Sequence, residues 1–231
     1  MRICGFNKTT LLDYPGKVAS TIFLGGCNFR CPFCQNSALV VRPDGEPEYT
    51  QEEILAFLQK RKGILDGVCV SGGEPTLSEE LPDFLGKIKR LGYSVKLDTN
   101  GSRPGMVKML AKEGLIDKAA MDIKACPDNY QALTGLKNQD MHPVMETVDF
   151  LIEGSLEYEF RTTVVRELHS ERDFREIGQW LKGAKEYYLQ AYKDSDGVLR
   201  PGFGSYTRKE LEGFRDILLQ TIPLVGIRGI D

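Results

Sequence analysis

The chain has 231 residues, of which 41% are hydrophobic and 27% charged, and its 30 basic and 33 acidic side chains give a formal net charge of −3. This composition excludes an intrinsically disordered protein, because it supplies enough apolar material for a core. The balance of charge gives no basic surface of the kind that nucleic-acid binding needs, so we expect no nucleic-acid partner.

Strand-like and helix-like segments alternate along the chain. The first predicted strand covers residues 18–24. Thr50 and Glu53 form a predicted capping box that begins a helix over 51–62. The later predicted strands are at 68–70, 95–97, 119–123, 158–164, 187–191 and 224–227. Helical spacing predicts the later helices around 81–91, 106–112, 144–152, 174–181 and 207–218. Segment 42–48, with two prolines and a glycine, is predicted to be a loop rather than a domain boundary.

About six βα units in one chain favour an α/β fold with a parallel sheet and helices outside it. A complete eight-unit barrel usually needs about 250 residues. We therefore expect a partial (βα)6 TIM-like barrel, open on one side, and a single domain over residues 1–231. A doubly wound sheet is the alternative, but no glycine-rich dinucleotide-binding fingerprint follows the first predicted strand.

Six cysteines are too few for a disulfide scaffold at this length. Three of them, Cys27, Cys31 and Cys34, lie in one loop, 25–36, directly after the first predicted strand. Soft thiolates select zinc, copper(I) or iron–sulfur centres. A zinc site needs a fourth ligand, and an electron-transfer cluster normally uses four cysteines. Three thiolates with no local fourth fit a cubane cluster that leaves one iron open to a small molecule.

The start of the chain indicates where the protein works. Residues 1–8 lack an apolar core of signal-peptide length, and the apolar stretch 18–24 is far too short to span a membrane. We therefore expect a cytoplasmic protein without a membrane partner.

Cysteines spaced by three and then two residues, with Phe33 before the third, resemble the signature of the radical S-adenosylmethionine (SAM) superfamily. The resemblance implies a [4Fe–4S] cluster held by Cys27, Cys31 and Cys34, with SAM chelating the fourth iron through its amino and carboxylate groups. A zinc site or three structural thiols remain the alternatives, since short motifs also occur by chance.

Glycine and polar residues follow successive predicted strands, at the edge where βα folds place their chemistry. These candidates for SAM binding are Gly72, Gly73, Glu74, Asp98, Thr99, Asn100, Asp122, Lys124 and Arg161. The Gly-Gly-Glu-Pro segment resembles the element that holds the SAM amino group in radical SAM enzymes, although alone it is an ordinary turn. Asn-Gly is likewise a common turn pair.

The later segments resemble those of enzymes that activate glycyl-radical enzymes. By that resemblance, Asp98 and Thr99 contact the amino acid end of SAM and Asp122 contacts the ribose. Lys124 and Arg161 contact the carboxylate or nearby oxygens. Related activases have a histidine near the adenine in the sixth strand, where this chain has Tyr192 close by, a residue that could stack instead.

The N-terminal segments Gly-Phe-Asn-Lys at 5–8 and Leu-Asp-Tyr-Pro-Gly-Lys at 12–17 are similar to the activating proteins of anaerobic ribonucleoside-triphosphate reductase. The resemblance implies an enzyme that receives one electron from reduced flavodoxin or ferredoxin and cleaves SAM. The resulting 5′-deoxyadenosyl radical removes a Cα hydrogen from a glycine of the partner. No side chain is expected to act as an acid–base catalyst.

Three other functions stay open at this point. The chain also fits an activase of a pyruvate formate-lyase-type enzyme. A small-molecule radical SAM enzyme of the 7-carboxy-7-deazaguanine synthase kind is similarly short. A zinc-bearing interaction module without catalysis is the alternative from another class.

The remaining cysteines and the two histidines carry no motif. We expect Cys4, Cys69 and Cys126 to be structural, because cysteine outside a motif is commonly a buried packing residue. His142 is placed at a helix start, and His169 in a loop or cap without a catalytic partner.

Overall fold

The computed structural model describes residues 1–41, 43–45, 48–135 and 140–230. Eight strands form one mostly parallel sheet whose strand order follows the chain. The strands are β1 (Ile3–Thr10), β2 (Ala19–Leu24), β3 (Gly67–Gly72), β4 (Ser94–Thr99), β5 (Lys118–Asp122), β6 (Glu157–Val164), β7 (Glu186–Ala191) and β8 (Leu224–Arg228). The α/β class predicted from the sequence is therefore confirmed.

The described residues also contain eight α-helices, which lie between strands. They are α1 (Ser37–Val41), α2 (Gln51–Lys60), α3 (Leu81–Arg90), α4 (Pro104–Lys112), α5 (Tyr130–Thr134), α6 (His142–Glu153), α7 (Glu171–Trp180) and α8 (Arg208–Leu218). The predicted capping box of Thr50 and Glu53 begins α2, and Thr207 with Glu210 begins α8 in the same way. The short helices α1 and α5 were not predicted, since five residues are too few for a helical period to show.

The chain divides into two compact units, of which the first comprises Met1–Asn28 and Asn36–Ala120. In this unit β1 runs antiparallel to β2, and β2, β3 and β4 are parallel neighbours. The parallel register pairs Thr21 with Cys69 and Cys69 with Lys96. Leu81, Phe84, Leu85 and Ile88 of α3 are fully buried, which is the face that their helical spacing predicts.

The second unit comprises Phe29–Gln35 and Met121–Asp231. Here β6, β7 and β8 are parallel neighbours, with Phe160 opposite Tyr187. Helices α7 and α8 contact each other through the stacked rings of Phe174 and Phe214, whose centroids are 4.7 Å apart. The single domain over residues 1–231 stays a prediction.

The structure corrects the start of the fold. The first strand is β1 and not 18–24, and Cys4 lies within β1. The exposed run Asn7, Lys8 and Thr9 breaks the alternation of β1, and a period of two could not be recognised there. Of the predicted loop 42–48, residues 43–45 form a single 3₁₀ turn. Arg42, Glu46 and Pro47 lie outside the described residues.

Candidate functional site

The Gly-Gly-Glu turn after β3 is joined to the base of the cysteine loop by backbone contacts. The N–H groups of Gly73 and Glu74 donate to the carbonyls of Leu24 and Gly26, each at 2.8 Å. A Cβ on Gly73 would stand 1.9 Å from the Gly26 oxygen, and one on Gly72, which has φ +124°, would stand 2.2 Å from the Leu24 oxygen. Only glycine fits such an approach. The two segments are thereby fixed against each other by main-chain geometry.

Glu74 uses its carboxylate to hold the end of β4. Its Oε1 accepts from the Thr76 N–H at 3.1 Å, the Thr99 hydroxyl at 2.8 Å and the Thr76 hydroxyl, and its Oε2 accepts from the Asn100 N–H at 2.6 Å. The side chain is 2% exposed, and burial raises the pKa of the carboxyl despite these hydrogen bonds. The protein's own donors therefore occupy most of the acceptor capacity of Glu74, and its contact with SAM stays a prediction.

Asn100 lies beside the first cysteine of the loop. Its Nδ2 is 2.9 Å from Asn28 Oδ1 and 3.9 Å from Cys27 Sγ, and its Oδ1 accepts from the Ser102 N–H at 2.9 Å. Asn28 in turn donates to the Ser102 hydroxyl at 2.9 Å. The Asn-Gly pair is therefore more than a turn, because its side chain reaches a predicted cluster ligand.

A buried ion pair stands on β4, and the sequence predicted its acid, Asp98, as a site residue but not its base, Lys96. The Lys96 ammonium is 2.5 Å from Asp98 Oδ1, and the Ser71 hydroxyl donates to Asp98 Oδ2 at 2.9 Å. Lys96 Nζ also lies 4.0 Å from Cys69 Sγ on the neighbouring strand. Lys96 is 1% exposed and Asp98 12%. The alternation of side chains along β4, which places residues 96 and 98 on one face, was the signal that could have found Lys96.

In the second unit, Asp122, Lys124 and Arg161 form one charged cluster. Asp122 accepts from Lys124 Nζ at 2.9 Å and from Arg161 Nε at 2.5 Å. Burial alone would raise the pKa of Asp122, but the two cations outweigh it and the pKa is lowered. Burial opposes the charge of Lys124, yet Asp122 and the Cys31 sulfur, the next largest influences, raise its pKa. The prediction that an acid and a base share one face here is confirmed by this geometry.

The second half of the cysteine loop is held by the segment after β7. The Leu199 N–H donates to the Cys34 carbonyl at 3.0 Å, and the Arg200 N–H donates to the Pro32 carbonyl at 2.8 Å. Within the loop, the Cys34 N–H donates to the Cys31 carbonyl at 3.0 Å. This backbone support fixes the loop between its second and third cysteines.

Phe33 and His169 connect this loop to the segment after β5. The Phe33 ring is buried and meets the His169 ring edge to face, with centroids 6.2 Å apart. His169 Nδ1 accepts from the Val165 N–H at 3.1 Å, so Nε2, 2.9 Å from the Lys124 carbonyl, carries the proton and donates. Burial lowers the pKa of His169. His169 lies in the loop before the N-cap of α7, as the sequence predicted, and it is buried there.

Tyr192 is buried directly after β7. Its hydroxyl donates to Asp194 Oδ1 at 2.9 Å, and its ring meets Phe203 edge to face at 6.4 Å. Burial, followed by the Asp194 carboxylate, raises its pKa to about 12. A stacking role toward adenine stays a prediction.

The three cysteines outside the loop are packed in the protein. Cys126 is buried and its thiol donates to Asp173 at 3.2 Å, and Cys69 is buried within β3. A Cβ added to Gly25 would lie only 2.6 Å from Cys4 Sγ, so Cys4 packs against the base of the cysteine loop. All six cysteines lie in the described residues and none is in a disulfide.

The donor set fits an iron–sulfur cluster. Three thiols lie within eight residues of chain, and thiolates are the ligands that iron–sulfur clusters use; the Lys124 ammonium also interacts electrostatically with Cys31. Over residues 1–41, 43–45, 48–135 and 140–230, no three His, Cys, Asp or Glu side chains stand ready to hold a metal ion. The ligand set Cys27, Cys31 and Cys34 therefore stays a prediction. In the same ranges no helix has the length and apolar character to cross a bilayer.

Comparison with known families gives the class of protein that this fold and loop define. Residues 21–181, well over half of the chain, match the radical SAM superfamily, and the chain belongs to that superfamily. The protein is therefore an enzyme of the radical SAM class, whose cofactors are a [4Fe–4S] cluster and SAM.

The chain is also similar to individual proteins that are named for more than one activity. A protein of Methanocaldococcus jannaschii, named provisionally as a glycyl-radical enzyme activating enzyme, is 30% identical over 201 residues, 84% of this chain and 81% of that protein. The pyruvate formate-lyase-activating enzyme of Clostridium pasteurianum is 32% identical over 159 residues, 64% of this chain and 63% of that enzyme. A 7-carboxy-7-deazaguanine synthase of Koribacter versatilis is 27% identical over 158 residues, 67% of this chain and 65% of that enzyme.

A solved structure shares the fold. Streptococcus suis SuiB superposes with a TM-score of 0.69 at 17% identity, over 90% of this chain. The chain spans about half of that protein, 48% of its length. The likeness supports the radical SAM fold alone.

Proposed function

We propose that this enzyme is an activase that generates a glycyl radical on a partner enzyme, and that the partner is an anaerobic ribonucleoside-triphosphate reductase. The observation that carries the proposal is the main-chain bond between Glu74 and Gly26, which seats the Gly-Gly-Glu turn against the cysteine loop. A zinc interaction module has no need of that close approach. The activase assignment is supported by the Methanocaldococcus relative, which aligns with 84% of the chain.

The chain's own residues bind and orient in this function. When bound, the cluster and SAM supply a one-electron cleavage of a carbon–sulfur bond and a radical that takes a hydrogen atom. Cys27, Cys31 and Cys34 would hold the cluster. Asp122, Lys124 and Arg161 would present opposite charges to the polar groups of SAM, already paired and therefore fixed in direction.

Glycine suits the partner's target position. It has no Cβ, so its backbone can approach a buried reaction centre closely. No side chain of this enzyme needs to move a proton on this account, and the protein contributes orientation and electrostatics.

The compartment and the electron source follow from the same proposal. Six cysteines outside any disulfide are typical of a reducing cytoplasm, where we place the protein. Reduced flavodoxin or ferredoxin there would supply the electron. The whole chain would act as one radical SAM domain.

The test uses the anaerobic protein loaded with iron and sulfide, reduced, and mixed with SAM and a purified partner. We expect a glycyl-radical signal in the electron paramagnetic resonance (EPR) spectrum of the reductase, and loss of both the signal and SAM cleavage in Cys31→Ala. Cys126→Ser, which keeps a donor to Asp173, is the matched control and should retain both. Retention of SAM cleavage in Cys31→Ala would refute the mechanism.

The same assay decides between partners. A radical on a formate-lyase-type enzyme and none on the reductase would identify the formate-lyase-type enzyme as the partner, in line with the Clostridium relative. Zinc without iron or sulfide after anaerobic purification would support an interaction module instead.

A small-molecule radical SAM enzyme is the second candidate, because the Koribacter synthase aligns with 67% of the chain. It predicts SAM-dependent turnover of a free deazaguanine precursor without any protein partner. Turnover of that precursor with no radical on either glycyl-radical enzyme would favour it over the activase.

A further inference from the structure

We propose that Asn100 tunes the cluster by donating an N–H···S hydrogen bond to Cys27, an inference that rests on the proposed function. Nδ2 of Asn100 is 3.9 Å from Cys27 Sγ. Asn100 would act through this ligand sulfur and is therefore a positioning residue. The predicted contact of Asn100 with SAM is a separate hypothesis and does not enter this inference.

The direction of the Asn100 amide is fixed by its other partners. A backbone N–H can only donate, so the Ser102 N–H, 2.9 Å away, must face the amide oxygen. Nδ2 then lies on the opposite side, 2.9 Å from Asn28 Oδ1. An amide nitrogen has two hydrogens, and with one on Asn28 the second is available to the Cys27 sulfur. The flipped amide would set two donors against each other at Ser102.

The position of Asn100 is fixed by its surroundings as well. The side chain is 4% exposed, and its backbone N–H donates to the buried Glu74 carboxylate at 2.6 Å. The next residue, Gly101, donates to the Thr99 hydroxyl at 3.1 Å. The donor therefore faces Cys27 in the folded protein before any ligand binds.

A donor at a ligand sulfur affects the redox balance of an iron–sulfur cluster. Reduction adds negative charge that is shared with the ligand sulfurs, and an N–H dipole aimed at sulfur stabilises the reduced state more than the oxidised state. Asn100 would thus make the cluster easier to reduce. Glu74 supports the effect indirectly, since it holds the backbone of Asn100.

The experiment measures the midpoint potential of the reconstituted cluster without SAM, by EPR-monitored redox titration of wild type, Asn100→Ala and Asn100→Ser. We expect both variants to be harder to reduce, with an equilibrium constant for one-electron reduction lowered by roughly three- to tenfold, at most ~59 mV. Asn100→Ser provides the test if Asn100→Ala loads too little cluster. Ser102→Ala is the matched control, because it removes a partner of Asn28 and keeps the backbone N–H that orients Asn100.

The outcomes distinguish a failure of the role of Asn100 from a failure of the proposed activase function. Wild-type and variant clusters with equal potentials would overturn the role of Asn100 and leave the activase function intact. An equal shift in Ser102→Ala would also overturn it, because loop packing would then explain the change. If the wild-type protein forms no [4Fe–4S] cluster, the proposed function fails, and the inference fails with it.

Discussion

Replacing Lys96 by methionine should destabilise the fold strongly. Lys96 is 1% exposed, and its ammonium lies 2.5 Å from a carboxylate of Asp98 that is itself 12% exposed. Methionine keeps the apolar stem but removes the charge, so the buried carboxylate loses its cation. Breaking one side of a buried ion pair costs about 3–5 kcal/mol. Because the Ser71 hydroxyl still donates to Asp98, we expect the lower end, about 3 kcal/mol.

Urea unfolding of the apo protein, followed by circular dichroism, measures this loss. The double variant Lys96→Met with Asp98→Asn removes both charges and should recover most of the stability, because the penalty comes from the uncompensated charge. The coupling energy from the double-mutant cycle should reach about 2 kcal/mol. A cost below about 1 kcal/mol for the single variant, or simple additivity of the two changes, would refute the reasoning.

Gly73→Ala should reduce the iron bound after reconstitution severalfold, because its Cβ meets the Gly26 oxygen at 1.9 Å, whereas Gly213→Ala, with nothing within 4 Å, should bind iron normally. Burial lowers the pKa of His169 below the value in the unfolded chain. The neutral, buried imidazole therefore contributes fully to stability above about pH 6.5. Below that pH the free energy of unfolding falls by up to about 1.4 kcal/mol per pH unit. Urea midpoints at pH 7.5 and 5.5 should therefore differ less in His169→Gln than in wild type, and an unchanged difference would contradict this. Thr50→Ala should cost about 1 kcal/mol of stability in the same unfolding assay, since it removes the cap of α2, and no loss would mean that the cap contributes little.

Much of the fold could be predicted because it depends on local signals. The capping box before α2 needs only Thr50 and Glu53, and the alternation in β6 is visible over eight residues. The site candidates at strand ends came from the same signals together with family resemblance. Their hydrogen-bond partners on other strands and loops could not be predicted, because those depend on the register between strands.

Lys96 and His169 show what local signals miss. The Val-Lys-Leu segment does not by itself show that its lysine is buried with a charged partner. In the folded protein Asp98 and Cys69 lie beside the Lys96 ammonium, which helps its charge to be tolerated inside. His169 has no motif around it, and its role depends on partners such as the Lys124 carbonyl, 45 residues earlier in the chain. The contacts of Lys96 with Cys69 and of His169 with Lys124 join segments that are distant in the sequence.

The antiparallel strand β1 also protects the edge of the sheet from pairing with a strand of another copy of the chain. Without it, the almost wholly buried strand β2 would be the margin of the sheet and would offer its main-chain groups to another chain. The margin is instead formed by β1, where Asn7, Lys8 and Thr9 are exposed. A charged, polar border of this kind discourages edge-to-edge association, so the first ten residues favour a protein that does not aggregate.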